Sequence, residues 1–504
     1  MSASDSIRPY PICTIVNQAV DDKLAAALLQ SVEQYFKPLT GKKVWLACSG
    51  GRDSLALAAL CAQLYHQGRL PFLPQLLHVN HNLQAASDTW ATHVQNWAAA
   101  QNLPCQILSI TVNGKDEQAA RQARYSAMSA AICQDDVILL AHHSDDQAET
   151  LLFRLISGAG VAGLSAMQPW RKVNKKGSRY HLFRPWLLVQ GADISNYAKA
   201  LQLPYIDDPT NTAGDNVRSH LRNEVLPKLT ILNPKAVTNM AKSAALLNEA
   251  KVSLEAQIAQ NYQRCQNKAL DFAPIQRVLD SDTLRQLPPS QRAQLLHFWL
   301  SLDEPLPPPK RLVDEVLALT LRADNNHESK LEWQASEQSY YIFRYRKHLF
   351  RLNQQFFAKL QQPIAPKVFY PKLPNQEMMS FFEIANYHWQ LKLSKAAINF
   401  LQTYGFGLEV RALTREQKLT LAPNATPKSG KKLFQALGIP VWLRDSLVVI
   451  SLIDDKKMRL PVMLCSIYQD WALFDSDNDA LKSEQKEQVR FTIQSRFGQN
   501  SMKN

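Results

Sequence analysis

The sequence is poor in the features that mark secreted, metal-stabilised or disulfide-bonded proteins. Only seven of its 504 residues are cysteine, they are scattered, and no two of them form a CxxC pair. This spacing argues against a disulfide framework, a zinc ribbon and an iron–sulfur cluster. The cysteines are Cys13, Cys48, Cys61, Cys105, Cys133, Cys265 and Cys465.

Long apolar runs are also lacking, and acidic residues are fewer than basic ones. No run is long enough to span a membrane, and the first residues, MSASDSIRPY, lack the pattern of a signal peptide. We therefore expect a cytoplasmic protein with no membrane partner. Lys and Arg number 57 against 44 Asp and Glu, which gives a net charge of +13. This excess favours nucleic acid as a partner, although a basic charge that serves only solubility fits the same count.

A GxxxxGK[ST] string is absent, which excludes a Walker-type nucleotide site. A different glycine-rich turn follows the apolar run at residues 44–48, namely Ser49-Gly50-Gly51-Arg52-Asp53-Ser54. Its glycines allow the backbone to approach a ligand, and a helix beginning here would present its N-terminus to an anion. The two serines add hydroxyl donors. We interpret the segment as a phosphate-binding loop; the alternative is an ordinary capped turn.

The N-terminal third alternates between strand-like and helix-like patterns. Strands are predicted at 44–48, 75–79, 105–110 and 137–141, and helices at 57–65, 89–100, 117–132 and 145–156. Such alternation predicts an α/β domain with a doubly wound parallel sheet. Ligands bind such sheets at the carboxyl ends of the strands, so motifs that follow different strands should converge on one crevice.

A second informative string follows the predicted strand at 137–141. It is Ala141-His142-His143-Ser144-Asp145-Asp146-Gln147-Ala148-Glu149-Thr150. Ser144 and Gln147 have the spacing of a capping box, while Asp146 and Glu149 share a helix face near His142. Acidic residues in a first turn also complement the helix dipole, which explains one carboxylate. The whole string favours a cation-binding or acid–base site.

Five segments then identify a family. They are SGGRDS at 49–54, HVNHNL at 78–83, EQAARQARY at 117–125, AHHSDDQAET at 141–150 and SGAGVAGLSAM at 157–167. In this order they resemble the tRNA(Ile)-lysidine synthases of the PP-loop ATP-pyrophosphatase superfamily. The segment DDPTN at 207–211 fits as well, as do Arg218 and Arg222 ahead of Leu226-Pro227. The family has Arg-Asn where this chain has Arg218-Ser219.

The resemblance implies a reaction, its substrates and its cofactors. Enzymes of this family join free L-lysine to the wobble cytidine in the CAU anticodon of a minor isoleucine tRNA. ATP with Mg²⁺ adenylates the cytosine, the lysine amine displaces AMP, and pyrophosphate is released. Codon reading changes from AUG to AUA.

The implied site residues fall into four groups. Arg121 and Arg124 would contact the ATP α-phosphate or an RNA phosphate, although a surface arginine paired with Glu117 is the simpler alternative. Asp146 and Glu149 would hold the lysine ammonium and accept its proton, supported by Asp145 and His142. Asp53 is the candidate Mg²⁺ ligand. The ATP-binding set is Ser49, Gly50, Gly51, Arg52, Asp53, Ser54 and His142.

The rest of the chain predicts two further domains. The expected limits are 1–230 for the PP-loop catalytic domain, 231–355 for a mainly helical tRNA-binding domain and 375–490 for a small α+β tRNA-binding domain. Helices are predicted at 236–263, 290–300 and 312–321, and a linker at 361–374. The aromatic and basic run at 340–346 predicts a strand that either stacks RNA bases or is half-buried.

Two basic segments point to RNA contact. The string KKLFQALGIP at 431–440, followed by Trp442-Leu443-Arg444-Asp445, resembles the C-terminal domain of the longer lysidine synthases, which is implied to grip the tRNA acceptor arm. A second set, predicted to share one loop, suits phosphate-backbone contact or simple solvation. It consists of Arg171, Lys172, Lys175, Lys176 and Arg179.

Three other functions are alternatives to this interpretation. A tRNA thiolase of the same superfamily needs reactive cysteines, often as CxxC, and the chain has no such pair. A small-molecule amidoligase does not explain the basic charge or the additional domains. A non-catalytic RNA-binding module does not explain intact SGGRDS and HHSDDQAET strings.

Overall fold

The structure is a computed structural model, and it divides into two units, Met1–Glu255 and Ala256–Asn504. It describes residues 15–80, 87–110, 117–175, 178–206, 217–322, 330–370, 378–423, 425–474 and 493–499. No helix in these ranges is long and apolar enough to cross a membrane.

One mixed sheet forms the centre of the first unit. Its strands are β1 (Val44–Ala47), β2 (Gln75–Asn80), β3 (Cys105–Ser109), β4 (Val137–Leu139), β5 (Trp170–Lys175) and β6 (Ser178–Phe183). They lie in the order β3-β2-β1-β4-β6-β5, and all are parallel except the edge strand β5. The predicted parallel sheet is therefore confirmed, with one antiparallel strand added.

Helices pack on both faces of this sheet. The helices described from the first unit onward are α1 (Asp22–Gln34), α2 (Phe36–Leu39), α3 (Arg52–His66), α4 (Ser87–Ala100), α5 (Glu117–Ala131), α6 (Ser144–Ile156), α7 (Val161–Leu164), α8 (Gly191–Ala200), α9 (Val217–His220), α10 (Leu226–Leu232) and α11 (Ala236–Cys265), and α11 continues past the end of this unit. A π-helical turn, Leu221–Val225, joins α9 to α10.

The alternation of side chains along β1 produces the double winding. Val44 and Leu46 pack into the core shared with α1, α3, α4 and α8, whereas Trp45 packs with Met128 of α5 on the other face. The chain proceeds from β1 outward to β3 and then crosses to β4 on the opposite side of β1. The sheet therefore has its topological switch point between β1 and β4, where an α/β sheet binds its ligand.

The described part of the basic segment at 171–179 belongs to the two antiparallel strands of a hairpin and not to the single loop that we predicted. Arg171, Lys172 and Lys175 lie on β5 and Arg179 lies on β6, whereas Lys176 lies outside the described residues. Arg179 forms an ion pair with Asp135, just before β4, at the edge of the sheet opposite the switch point. Only the Arg171 end of the hairpin therefore faces the predicted site.

The second unit begins with a four-stranded antiparallel sheet and helices. Its strands β7 (Gln276–Asp280), β8 (Lys330–Gln334), β9 (Ser339–Tyr345) and β10 (His348–Asn353) lie in the order β7-β10-β9-β8. Its helices are α12 (Ser281–Gln286), α13 (Pro289–Ser301), α14 (Lys310–Leu321) and α15 (Gln354–Leu360). Tyr340 and Phe343 of β9 are buried in separate cores on the two faces of this sheet. Their burial favours the half-buried strand for these two rings, whereas Tyr341 and Tyr345 are partly exposed, so base stacking by the strand stays a prediction.

Smaller antiparallel sheets complete the second unit. The remaining strands are β11 (Lys367–Phe369), β12 (Met378–Ile384), β13 (Tyr387–Leu393), β14 (Gly407–Ala412), β15 (Lys418–Leu419), β16 (Lys428–Ser429), β17 (Val448–Ile453), β18 (Arg459–Cys465), β19 (Asp470–Ala472) and β20 (Ile493–Gln499). Their orders are β11-β14-β17-β18-β19, β12-β13-β20 and β15-β16. The helices among them are α16 (Lys395–Thr403) and α17 (Gly430–Leu437).

Two local predictions for this region have opposite outcomes. The segment 361–374 is not purely a linker, because β11 lies within it and pairs with β14. The helix stop at Gly438 is confirmed: α17 ends at Leu437, and Gly438 has a φ of +69°. This left-handed conformation is one that glycine adopts without steric cost.

Candidate active site

The loop after β1 has the backbone geometry of an anion cradle. Gly51 caps the N-terminus of α3, and Gly50 has a φ of +84°. A Cβ at Gly50 would lie 2.9 Å from Val94 and 3.0 Å from Ile206, so a larger residue does not fit. The carbonyl of Gly50 also accepts a hydrogen bond from the Ile206 backbone N–H at 3.0 Å. The loop is therefore fixed from two other segments of the unit.

The two serines of the loop satisfy its backbone donors. Ser49 Oγ accepts from the Gly51 N–H, and Ser54 Oγ accepts from the Ser49 N–H, both at 3.2 Å. The two hydroxyl oxygens are 3.3 Å apart. His78, from the predicted HVNHNL motif, donates from Nδ1 to the carbonyl of Cys48 at 2.8 Å. These bonds hold the loop in shape, and an incoming phosphate can replace them.

The helix of the acidic motif, α6, begins one residue earlier than predicted. Helix α6 is capped by His143, whose backbone N–H donates to Asp146 Oδ2 at 3.0 Å. The expected Ser144–Gln147 capping box is therefore wrong. Gln147 instead donates from its side chain to the Met167 carbonyl and accepts from the Met167 N–H, both at 2.8 Å.

His143 joins the phosphate loop to the acidic motif. Its Nδ1 lies 3.0 Å from Asp145 Oδ2, and its Nε2 lies 3.6 Å from Asp53 Oδ2 and 3.7 Å from Asp146 Oδ2. Asp53 also accepts from Arg52 Nε at 2.8 Å. Three carboxylates thus surround one imidazole ring. The motif AHHSDDQAET contains His143, but no role was predicted for it; the available signal is a histidine two residues before a pair of aspartates.

The charges of this cluster stabilise one another. Burial lowers the pKa of His143, but the acceptor carboxylates of Asp145 and Asp53 and the charge of Asp146 outweigh this and raise it to about 10. Burial acts in the opposite direction on the aspartates, yet His143 lowers the pKa of Asp53 below its ordinary range and that of Asp145 to about 2. His143 is therefore an imidazolium between ionised carboxylates at neutral pH.

Gly191, the first residue of α8, provides the space for this arrangement. Its backbone N–H donates to Asp145 Oδ2 at 3.0 Å. A Cβ on Gly191 would lie 3.0 Å from His143 Cε1 and 3.1 Å from Asp145 Oδ2. Any side chain here would press on the ring that holds the three carboxylates together.

The neighbouring His142, by contrast, is uncharged at neutral pH. Arg184 Nε donates to its Nδ1 at 3.3 Å, so the ring proton of the neutral form is on Nε2. Burial lowers the pKa of His142 to about 4; Asp146 opposes the shift, and the charges of Arg184 and Arg121 add to it. Two adjacent histidines therefore have different charges at neutral pH.

Glu149 lies one turn further along α6 and already has a partner. Arg222, on the π-helical turn, donates from Nε to Oε1 at 2.6 Å and from Nη2 to Oε2 at 2.8 Å. The Glu149 side chain is only 7% exposed, whereas that of Arg222 is 44% exposed. Both carboxylate oxygens of Glu149 are thus bound before any substrate is present.

Comparisons with known proteins identify the family. A model described as the PP-loop domain matches residues 24–229, and one described as the TilS substrate binding domain matches residues 279–350. The tRNA(Ile)-lysidine synthase of Psychrobacter sp. is 39% identical over 500 residues, which cover 89% of this chain and 94% of that protein. The chain belongs to the tRNA(Ile)-lysidine synthase family. The predicted family, the ATP-binding PP-loop domain and the fold class are therefore confirmed.

Other members of the family match shorter parts of the chain. The enzyme of Xanthomonas axonopodis pv. citri is 33% identical, covering 81% of this chain and 86% of that protein. That of Pseudomonas aeruginosa is 40% identical over 261 residues, covering 51% of this chain and 58% of that protein.

The structure brings most of the predicted site residues of this lysidine synthase to the carboxyl ends of neighbouring strands. Asp53, Asp146 and His142 lie at the ends of β1 and β4. Arg121 lies over the ring of Tyr125 at 5.4 Å and affects the charge of His142, and Arg124 is on the same helix, α5. The residues at 81–86 and the DDPTN segment at 207–211 lie outside the described residues. The roles assigned to all these residues stay predictions.

Proposed function

We propose that the protein joins free L-lysine to the wobble cytidine in the CAU anticodon of a minor isoleucine tRNA. The product is lysidine, the codon read changes from AUG to AUA, and the reaction takes place in the cytoplasm. The main support is the meeting of the phosphate loop and the acidic motif at the switch point, where Asp53 Oδ2 lies 3.6 Å from His143 Nε2. One crevice thus offers a phosphate cradle beside ionised carboxylates.

The first step activates the cytosine. Its carbonyl oxygen is a poor leaving group, so it attacks the α-phosphate of ATP, pyrophosphate departs, and AMP becomes the leaving group. The backbone N–H groups of Ser49 and Gly51 exchange their serine partners for the departing pyrophosphate. These donors are already oriented, so they stabilise the developing charge with little reorganisation. His142, with a proton on Nε2, and Arg121 or Arg124 contact the nucleotide or an RNA phosphate.

The residues present fit a magnesium ion that arrives with ATP. Mg²⁺ binds one or two carboxylates together with substrate phosphates, and carboxylate oxygen is its preferred protein ligand. Asp53 lies at the phosphate loop with its side chain 32% exposed, which makes it the proposed ligand. The described residues contain no group of three His, Cys, Asp or Glu side chains placed to hold a metal by themselves. When bound, Mg²⁺ would offset the negative charge of the phosphates.

The second step requires the lysine amine to be bound and then deprotonated. A carboxylate binds the ammonium, and the same group accepts the proton as the amine attacks. Asp146, whose side chain is 28% exposed, is open to the amine. Glu149 reaches it only after Arg222 has moved, because both Glu149 oxygens accept from Arg222. We assign initial binding to Asp146 and assistance in proton removal to Glu149.

The domains 231–355 and 375–490 are proposed to bind the tRNA outside its anticodon. The match of residues 279–350 to a substrate binding domain supports this for the former. The exposed lysines Lys431 and Lys432 of α17 support it for the latter.

Lysine incorporation into RNA tests the proposal directly. The full chain is incubated with ATP, Mg²⁺, radiolabelled lysine and an isoleucine tRNA transcript with a CAU anticodon. Label should appear at the wobble cytidine and be lost without ATP or in Asp53→Ala. A methionine tRNA transcript with the same anticodon is the control for substrate choice. If pyrophosphate is released but no label enters the RNA, lysine is not the nucleophile.

Measuring the two steps separately tests the carboxylate roles. Pyrophosphate release without lysine reports adenylation, and a lysine chase reports transfer. Glu149→Gln and Asp146→Asn should impair transfer at least tenfold more than adenylation. Glu224→Gln is the matched control, because Glu224 is 61% exposed and pairs with His220 on the same helical segment as Arg222. Equal loss of both steps would contradict this division of roles.

A further inference from the structure

Five arginines gather on one side of the acidic motif, and we refer to them as the arginine cluster. They come from α5, α6, the ends of β5 and β6, and α9, so no single sequence motif contains them. The members are Arg121, Arg154, Arg171, Arg184 and Arg218.

Arg184 is the buried member of the arginine cluster. It is 4% exposed and follows β6 at the carboxyl edge of the sheet. Its Nη1 donates to the Gln168 carbonyl at 2.9 Å and its Nε to His142 at 3.3 Å. These partners are uncharged, and Tyr125 is a further neutral contact. A buried guanidinium with only neutral partners retains most of its desolvation cost, which an anionic ligand would offset.

Arg171 and Arg121 lie close enough to Arg184 to affect its charge, and the ion pairs of the described residues give none of the other members a carboxylate partner. Arg171 lies opposite Leu182 on the β5–β6 ladder, two residues from Arg184. Arg154 donates to the carbonyls of Gly163 at 2.7 Å and Ala166 at 2.9 Å, and Arg218 lies over the ring of Phe153 at 5.8 Å.

The charges of the cluster are close enough to act on one another. Burial lowers the pKa of Arg154, and the charges of Arg171 and Arg218 lower it further. Around this sheet the described ion pairs involve other arginines, such as Arg52, Arg179 and Arg222, and none of them includes a member of the arginine cluster.

The order of the strands separates this cluster from the phosphate loop. Along the carboxyl edge, β1 carries the loop, β4 carries the acidic motif, β6 leads to Arg184, and the antiparallel β5 begins beside it with Arg171. Neighbouring strands are about 4.8 Å apart. The loop and the arginine cluster therefore lie on opposite sides of the acidic motif, and two anions can bind there at once.

We propose that the arginine cluster binds the RNA phosphodiester groups that flank the reacting nucleotide, with Arg184 as the buried anchor. The ATP phosphates occupy the β1 side and the RNA backbone the β6–β5 side, so the base enters between them above the acidic motif. This inference rests on the proposed function, because it takes RNA as the substrate.

Neutralising Arg171, which is exposed, and Arg218, which is half-buried, tests the inference while the buried Arg184 stays in place. The variant Arg171→Gln/Arg218→Gln is compared with Arg69→Gln/Lys37→Gln, which removes the same charge from a groove beyond the C-terminal end of α3. The probes are the isoleucine tRNA transcript, an unrelated single-stranded RNA of similar length, and ATP. Filter binding is measured from 0.05 to 0.5 M salt, and ATP affinity is measured separately.

The arginine variant should bind both RNAs about tenfold more weakly at 0.1 M salt. Its slope of log affinity against log salt should fall by about 1.4, since each single-strand phosphate contact contributes about 0.7. ATP affinity and the control variant should not change. Unchanged RNA affinity and slope would overturn the inference, and weaker ATP binding would assign the cluster to the nucleotide instead. If the wild type binds RNA through these arginines but never transfers lysine, the proposed function fails while the inference stands.

Discussion

His142 is neutral and His143 is positively charged at neutral pH, and this difference gives the sharpest physical prediction. Each carboxylate 3.0 to 3.7 Å from the His143 ring contributes about 1 to 4 kcal/mol between the limits of bulk water and a protein surface. A rise in pKa from 6.5 to about 10 corresponds to about 5 kcal/mol. Three such carboxylates can supply this even after the cost of burial. His142 has Arg184 at its Nδ1, and its pKa falls to about 4.

Nuclear magnetic resonance of the full chain labelled at histidine Cε1 measures both groups directly. His142→Gln and His143→Gln assign the two signals among the 12 histidines. The His143 signal should keep the imidazolium shift up to about pH 9 and the His142 signal the neutral shift down to about pH 5. If both histidines titrate between pH 6 and 7, the carboxylates do not control the charge of His143, which would refute this prediction.

The raised pKa of His143 also makes the free energy of unfolding depend on pH. Because the folded-state pKa of His143 is raised, its contribution is fully present below pH 6.5 and is lost as pH rises towards 10. Linkage gives about 4 kcal/mol at pH 7 and about 1.5 kcal/mol at pH 9. The first unit of the wild type should therefore lose about 2.5 kcal/mol more over this interval than that of His143→Gln. Thermal unfolding at the two pH values measures this difference, and equal losses would refute it.

Three further changes have defined outcomes. Gly50→Ala should weaken ATP binding at least tenfold in isothermal calorimetry, because its Cβ would lie 2.9 Å from Val94; Gly41→Ala, with a similar φ of +72° and no atom within 4 Å, should leave ATP binding unchanged. Arg351→Met should destabilise the second unit by about 3 kcal/mol in urea unfolding, because this fully buried guanidinium binds Asp303 and two carbonyls. Asp145→Asn should flatten the loss of stability between pH 4 and pH 2, because the pKa of Asp145 is lowered to about 2 and its contribution disappears as pH falls towards that value.

The sequence predicts the strands and loops of the site because their signals are local. An apolar run followed by SGGRDS defines β1, the cradle and α3 within a few residues, and the acidic string follows β4 as expected. The β5–β6 hairpin was missed because an edge strand with an exposed basic face lacks the apolar alternation of a half-buried strand. The three-residue strand β11 is too short to give a periodic signal.

The contacts that set the charges of the site could not be predicted, because they join distant segments. Arg222 lies 73 residues from Glu149, Gly191 lies 46 residues from Asp145, and Arg184 lies 42 residues from His142. Contacts with distant residues also explain why His143, and not Ser144, caps α6. The cap depends on the space that Gly191 leaves and on the position of Asp53 after β1.

These long-range contacts resolve an apparent conflict in the proposed chemistry. Lysine binding calls for carboxylates in the crevice, yet the same carboxylates repel the phosphates of ATP. The imidazolium of His143 lies between the phosphate loop and the acidic motif and offsets the charge of Asp53, Asp145 and Asp146 on the side that faces the loop. In the proposed reaction, this charge would favour the binding of a polyanion and an ammonium ion at neighbouring positions. We therefore expect the imidazolium of His143 to favour ATP binding without touching the substrate itself.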